Sequence, residues 1–150
     1  MSKETERREE KIPPCRIDKN LIHELGTLLA LESQAKEKPR FTLEATTLTR
    51  ESEDINKFLE RDIPQNTNEI TLKIGGWKSP RNIEIYLGIR TQRSKLKVWG
   101  DNPTWVSGVY DRIFTIFKKS RLEYYLIPKF EWLRGIISSL AILPLTLKDS

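Results

Sequence analysis

The clearest pattern along the chain is an alternation of apolar and polar residues in its second half. One alternating run spans residues 70–74, a second spans residues 83–89, and a short third run covers residues 96–98. Stretches of turn-favouring residues at 75–80 and 91–94 separate the three runs. Because successive side chains of a strand point to opposite faces, these runs predict three strands joined as an antiparallel meander, with one face on a core and the other in water.

The first half of the chain contains weaker patterns, which predict two helices and one strand. Leucines at every fourth position from Leu21 to Leu29 predict a helix, for which Asp18 is a suitable N-cap. Residues 41–49 are rich in threonine and alternate in polarity, which predicts a strand. Ser52 is a suitable N-cap for a short helix after that strand.

A further helix is predicted after the meander. Asp101 or Asn102 can cap it, and Pro103 suits its first turn. Its apolar stripe consists of Trp105, Val109, Ile113, Ile116 and Phe117. The resulting order, α-β-α-β-β-β-α, predicts an α+β domain with a four-stranded, mainly antiparallel sheet, helices on one face, and a C-terminal apolar helix.

The same patterns divide the chain into three parts. Residues 1–11 are an alternating-charge run that favours a polar tail. Residues 12–121 form the predicted domain. Residues 122–150 are an apolar and aromatic segment, for which we expect either packing on the domain or a position close to a membrane.

Composition places the protein in the soluble globular class. Of its 150 residues, 37% are hydrophobic and 31% are charged, and the mean hydropathy is −0.53. The single cysteine, Cys15, has no partner for an internal disulfide, and residues 1–11 lack the apolar core of a secretion signal. We therefore expect a cytoplasmic protein, with the inner face of a membrane as a more specific alternative.

The sequence offers little from which to build an active site. Histidine occurs once, at His23, and zinc sites of the usual kind need four ligands. The acidic residues Glu51, Glu53 and Asp54 stand at the predicted start of a helix, where the helix dipole accounts for them. Gly75-Gly76 lies between strands rather than before a helix, so a turn explains it better than a phosphate cradle. We predict a non-enzyme, with no catalytic residue, cofactor or metal site.

Charge is distributed unevenly along the chain and indicates an anionic partner. Residues 1–69 carry 12 Lys and Arg against 15 Asp and Glu, whereas residues 70–150 carry 14 against 6, within a net charge of +5 for the whole chain. A basic half of this kind is typical of proteins that bind nucleic acid, an anionic membrane surface or an acidic protein.

The favoured function is a non-catalytic interaction or regulatory domain that is peripheral to a membrane or membrane-proximal. Residues 135–147 form an uncharged stretch of 13 residues, shorter than the roughly 20 residues of a spanning helix. Basic and aromatic residues precede it, as at the cytoplasmic side of a membrane interface. The predicted site residues are Lys118, Lys119, Arg121, Lys129, Trp132 and Arg134.

Three alternatives stay open. The C-terminal segment can pack against the core, or it can form a homo-oligomer contact. The basic face of the third meander strand can bind nucleic acid by phosphate contact and base stacking; its predicted residues are Arg90, Arg93, Lys95, Lys97 and Trp99. An ordinary solvated sheet face, on which lysines discourage edge-to-edge pairing, also accounts for these residues.

Overall fold

The computed structural model describes residues 6–33, 37–76 and 79–120. In chain order the elements are β1 (Glu6–Ile12), α1 (Lys19–Glu32), β2 (Arg40–Ala45), β3 (Thr49–Ser52), α2 (Ile55–Phe58), β4 (Thr67–Ile74), β5 (Arg81–Gly88) and β6 (Ser94–Gly100). A last helix, α3, is described over residues 103–120. No helix in these described ranges is long and apolar enough to cross a membrane.

The strands form one open antiparallel sheet in the order β1-β6-β5-β4-β2-β3. The predicted meander is confirmed: β4 pairs with β5 and β5 pairs with β6, both antiparallel. The α+β class is confirmed as well. The sheet has six strands rather than the four expected. The two strands that the sequence pattern did not predict, β1 and β3, lie at its edges.

The missed strand β1 lies within the expected polar tail. From Glu6 onwards the chain pairs with β6 along the whole strand, so these residues are not a tail. Only Ile12 of its seven residues is buried. An edge strand gains its stability from a backbone ladder on one side, and charged side chains protect its other side from pairing. An apolar alternation is therefore absent, and the sequence pattern gave no strand signal.

The structure divides the predicted strand at residues 41–49 into β2 and β3, and β3 is the second missed strand. The chain turns after Ala45, whose N–H donates to the carbonyl of Leu48 at 2.9 Å, and β3 returns antiparallel to β2. The short helix that follows begins one residue after Asp54, which caps it in place of the expected Ser52. The Ser52 hydroxyl instead accepts the Asp54 N–H, at 3.1 Å.

Two predicted helix starts are confirmed by their hydrogen bonds. The Asp18 carboxylate accepts the Leu21 N–H at 2.9 Å at the start of α1. The Asn102 side chain accepts the N–H groups of Thr104 at 3.0 Å and Trp105 at 3.2 Å at the start of α3. The expected C-terminal apolar helix and the segment at residues 122–150 lie outside the described residues.

One apolar core lies between the sheet and the helices. It includes the alternating residues of β4, β5 and β6, the buried face of α1, Phe58 of α2, and the α3 stripe. Of the predicted α3 stripe, Ile116 is partly buried and the other four residues are buried. Burial of this apolar surface, at about 25 cal/mol per Å², is the main favourable contribution to folding. The opposite face of the sheet, called the outer face below, carries polar and charged side chains.

Helices α1 and α3 run antiparallel across the inner face. At one end the Trp105 indole N–H donates to Glu32 at 2.9 Å. At the other end Lys119 Nζ lies 3.5 Å from Glu24, and the Ser120 hydroxyl donates to the Arg16 carbonyl. The last described turn of α3 therefore lies beside the segment that leads into α1.

Candidate functional site

Two of the six favoured site residues lie within the described part of the chain. Lys118 and Lys119 are exposed near the end of the described part of α3. Lys118 Nζ lies 5.4 Å from the ring centroid of Phe114, and Lys119 forms the ion pair with Glu24. The remaining four, Arg121, Lys129, Trp132 and Arg134, lie outside the described residues.

The five residues of the nucleic-acid alternative lie along β6 and the loop before it. Lys95, Lys97 and Trp99 share the outer face of β6, opposite the buried Leu96 and Val98. This shared face agrees with the sequence pattern. Arg90 and Arg93 are exposed in the β5–β6 loop, where Arg90 Nη1 lies 3.4 Å from the Asn68 side-chain oxygen.

Neighbouring strands place carboxylates beside this basic row. Glu9 of β1 and Glu84 of β5 stand directly opposite Lys97, one on each side. Lys97 Nζ packs 4.7 Å from the ring centroid of Trp99. Lys95 pairs with Glu9 and lowers the pKa of the Glu9 carboxyl. The outer face is thus a mosaic of both charges, which a count along β6 alone does not reveal.

The segment at residues 14–17 connects the two predicted sites. A small cavity of about 230 Å³ is lined by Pro14, Cys15, Arg16 and Ile17 on one side. Residues of the β5–β6 hairpin line its other side: Ile89, Gln92 and Ser94. Ser120 of α3 is held to the same segment by its bond to the Arg16 carbonyl. The last described turn of α3 and the β5–β6 loop therefore flank one segment at one end of the domain.

We call this region the basic end. It comprises Lys11, Arg16, Arg90, Arg93, Lys95, Lys118 and Lys119. Lys11 belongs to it because it stands directly opposite Lys95 on the outer face. Three of the seven are ion-paired: Arg16 with Asp18 at 3.4 Å, Lys95 with Glu9, and Lys119 with Glu24. The other four have no ion-pair partner among the described residues.

Sequence reasoning missed Lys11 and Arg16 as members of this surface. Lys11 fell in the expected tail, and Arg16 lies in a connection without any periodic pattern. Their only signal is positive charge. It becomes informative when the pairing of β1 with β6 and the Ser120–Arg16 bond place these residues beside the loop and α3.

Neither the cysteine nor the histidine of this region forms a reactive arrangement among the described residues. Burial raises the pKa of the Cys15 thiol to about 11, so this thiol is protonated at neutral pH and is a poor nucleophile. His23 is exposed on α1 and lines a shallow cavity of about 260 Å³ together with Glu24 and Lys119. Within the described ranges no group of three or more His, Cys, Asp and Glu could hold a metal ion.

The opposite end of the sheet carries a wider, open groove of about 850 Å³. We call it the glycine groove, because Gly75, Gly76 and Gly100 line it. Gly75 has φ +85°, and a Cβ there would collide with the Arg81 carbonyl, so the position requires glycine. The charged residues lining the groove are Arg40, Lys73, Glu84 and Asp101. Positive and negative side chains balance here.

One buried amide lies beside the glycine groove. Asn82 is 2% exposed, and its Nδ2 donates to the Ser79 carbonyl at 2.8 Å. Its Oδ1 accepts no hydrogen bond from the described residues. This oxygen packs against Gly75, where a Cβ would meet it. The sequence pattern identified the turn but not the groove, because β6 and residues 100–101 come from elsewhere in the chain.

A third cluster on the outer face consists of carboxylates from two strands and one tyrosine. Glu44 and Glu69 stand directly opposite each other on β2 and β4. The Tyr86 hydroxyl donates to Glu69. Glu69 raises the pKa of the Glu44 carboxyl, and it also raises the pKa of the Tyr86 hydroxyl. This cluster draws on three strands, so no local pattern in the sequence predicts it.

The fold and these surfaces together define a two-layer α+β domain with one basic end. No protein-family model matches the chain. No curated protein and no solved structure is significantly similar to it. The charges and contacts of the domain's surfaces are therefore the basis for its function.

Proposed function

We propose that the protein is a non-catalytic domain that binds the anionic surface of a membrane through its C-terminal segment. Lys118, Lys119, Arg121, Lys129, Trp132 and Arg134 are the proposed contact residues. The observation that carries the proposal is the position of Lys118 and Lys119, both exposed near residue 120 of α3, where the chain continues into the basic, aromatic and apolar segment.

The composition of the core supports this proposal. Residues from every strand except β3 and from α1, α2 and α3 form one buried cluster, in which the sheet residues are at most 5% exposed. The described residues therefore build a core of their own. An uncharged stretch such as residues 135–147 can then bury its side chains against a separate apolar phase.

The expected binding is weak and reversible. A basic residue close to an anionic membrane contributes about 1 kcal/mol, and this contribution falls off within a Debye length. A short apolar segment adds to it in proportion to the area it buries. Affinity should therefore require anionic lipid and decrease with added salt.

The test is co-sedimentation of the full chain with vesicles of phosphatidylserine and phosphatidylcholine at low salt. We expect the protein to sediment with them and to stay in solution with pure phosphatidylcholine. Lys118→Glu combined with Lys119→Glu should abolish sedimentation. The matched control, Lys57→Glu with Lys73→Glu, changes two exposed lysines away from the basic end by the same charge and should bind normally. A protein that stays in solution with the anionic vesicles would contradict the proposal.

Nucleic-acid binding is the second candidate. Trp99 is half-buried beside Lys97, and Arg90 and Arg93 have no ion-pair partner among the described residues, as single-strand binding by phosphate contact and stacking requires. Glu9 and Glu84 beside Lys97 oppose it. A gel shift with a single-stranded oligonucleotide that weakens steeply with salt would favour this candidate.

Self-association through the β1 edge is disfavoured by charge. A two-fold antiparallel pairing of two edge strands always places one residue opposite its own copy. Every residue from Glu6 to Lys11 is charged. A pairing centred on any of them therefore places that residue opposite an identical charge, which destabilises the pair. The oligomer alternative through the C-terminal segment is separate from this edge. Light scattering at several concentrations tests it, and a concentration-dependent dimer would favour it.

A further inference from the structure

The β5–β6 loop is a fixed structure that presents two arginines at the basic end. The Gly88 N–H donates to the Arg93 carbonyl at 3.1 Å, and the Ile89 N–H donates to the Asn68 carbonyl at 3.0 Å. The Arg93 N–H is held by the Thr91 hydroxyl at 3.3 Å. Arg90 and Arg93 are therefore displayed from an ordered loop, and neither has an ion-pair partner among the described residues.

The last described turn of α3 lies near this loop. The bond from Ser120 to Arg16, and the small cavity that Arg16 shares with Gln92, connect the last described residue of α3 to the loop. Lys11 extends the same surface across β1. Position 120 lies at this end of the domain and not at the glycine groove, so the residues that follow it continue from the basic end.

We infer that Arg90, Arg93, Lys11 and Arg16 form a second half of the membrane-docking surface, so that the domain stands on its basic end. This inference rests on the proposed function. The occupant is a layer of anionic phospholipid headgroups. Two observations favour it: the positive charge of the basic end, and the 30 residues that follow position 120, including the uncharged stretch at 135–147.

The C-terminal segment alone would leave the domain free to rotate above the membrane. Cations in the loop add a second point of attachment and so define an orientation. Each basic residue held near an anionic surface contributes about 1 kcal/mol, which is about fivefold in the partition coefficient. Losing the two loop arginines should therefore weaken binding by about thirtyfold, even though the C-terminal segment is intact.

The first arm of the test measures affinity with the full chain and vesicles containing phosphatidylserine. Arg90→Glu with Arg93→Glu should lower the partition coefficient by about thirtyfold or more, whereas the control pair Lys57→Glu with Lys73→Glu should change it less than threefold. Circular dichroism should show the same thermal midpoint for both variants within a few degrees. Equal affinity of the arginine variant and the control would overturn the inference while leaving the proposed function intact.

The second arm measures orientation. In a Cys15→Ser background, an environment-sensitive dye is attached through Gln92→Cys in the loop or through Asp101→Cys at the opposite end. We expect the anionic vesicles to shift the dye emission to shorter wavelength at position 92 and to leave it unchanged at position 101. Equal spectra at both positions would overturn the end-on orientation.

Two further outcomes bear on both the proposed function and the inference. If the unmodified protein does not bind the vesicles, the proposed function and the inference both fail. If the unmodified protein binds a single-stranded oligonucleotide but not the vesicles, and the arginine variant loses that binding, the same residues serve the nucleic-acid alternative instead.

Discussion

The two ends of the sheet are built from the same strands but carry different surfaces. At the basic end, side chains from β1, the β5–β6 loop and α3 gather positive charge around the segment at residues 14–17. At the other end, Gly75, Gly76 and Gly100 leave an open groove in which charges of both signs balance.

The two ends differ because one surface is made by side chains and the other by the shape of the backbone. The basic end depends on exposed cationic side chains, whose substitution should change stability little. The glycine groove depends on backbone shape, at a position where a Cβ cannot fit. Substitutions at the two ends should therefore act on different properties: binding at the basic end, and stability at the glycine groove.

The largest expected effect on stability is at the glycine groove. Gly75→Ala forces a non-glycine residue to φ +85° and against the Arg81 carbonyl, which should lower the free energy of unfolding by about 2–3 kcal/mol. Urea denaturation measures it. Gly76→Ala, where a Cβ would meet nothing within 4 Å, is the control and should be close to neutral. A neutral Gly75→Ala would show that the turn has freedom to shift.

A smaller loss is expected where α3 meets the basic end. Ser120→Ala removes the hydrogen bond to the Arg16 carbonyl, which should cost about 1 kcal/mol. Hydrogen exchange should then increase at residues 14–17 and stay unchanged around the glycine groove. Equal increases at both ends would mean that the contact stabilises the whole domain and does not act locally.

On the outer face, Glu44→Gln should stabilise the protein at neutral pH, because the neutral amide can donate a hydrogen bond to Glu69 and is not repelled by its charge. The pKa of the Glu44 carboxyl is raised in the folded protein, so its charged form destabilises the fold once the pH rises through that pKa. The gain from the substitution should therefore appear above the folded pKa and disappear below the ordinary carboxyl pKa. Thermal midpoints measured at several values between about pH 3 and pH 7, a range that brackets the usual carboxyl pKa, test this expectation. A gain that does not vary with pH would exclude the repulsion as its cause.

The smallest expected effect on stability belongs to the two loop arginines, although their substitution should weaken membrane binding strongly. Arg90→Glu with Arg93→Glu changes exposed side chains without ion pairs among the described residues, so the free energy of unfolding should change by less than about 0.5 kcal/mol. Urea denaturation of this variant and of Gly75→Ala under the same conditions compares the two free energies of unfolding directly. A large loss would place these arginines among the structural residues of the loop.

Local patterns in the sequence determined much of the fold. The alternation in β4, β5 and β6 predicted the meander, and Asp18 and Asn102 begin their helices as expected. These features depend on neighbours within a few residues, because strand periodicity and helix caps are short-range. The outer-face position of Lys95, Lys97 and Trp99 followed from the same alternation.

Only the tertiary structure decided which distant residues meet. Nothing in the run from Glu6 to Lys11 indicates that it pairs with β6 and becomes a strand. The carboxylates of Glu9 and Glu84 on either side of Lys97, and the approach of Arg16 to Ser120, likewise follow from strand order and helix packing. Charge carries no periodic signal of its own, so its clustering depends on long-range pairing. The sequence by itself therefore determined the elements that carry an apolar periodicity, with their buried faces. The tertiary structure determined the edge strands β1 and β3, the basic end and the glycine groove.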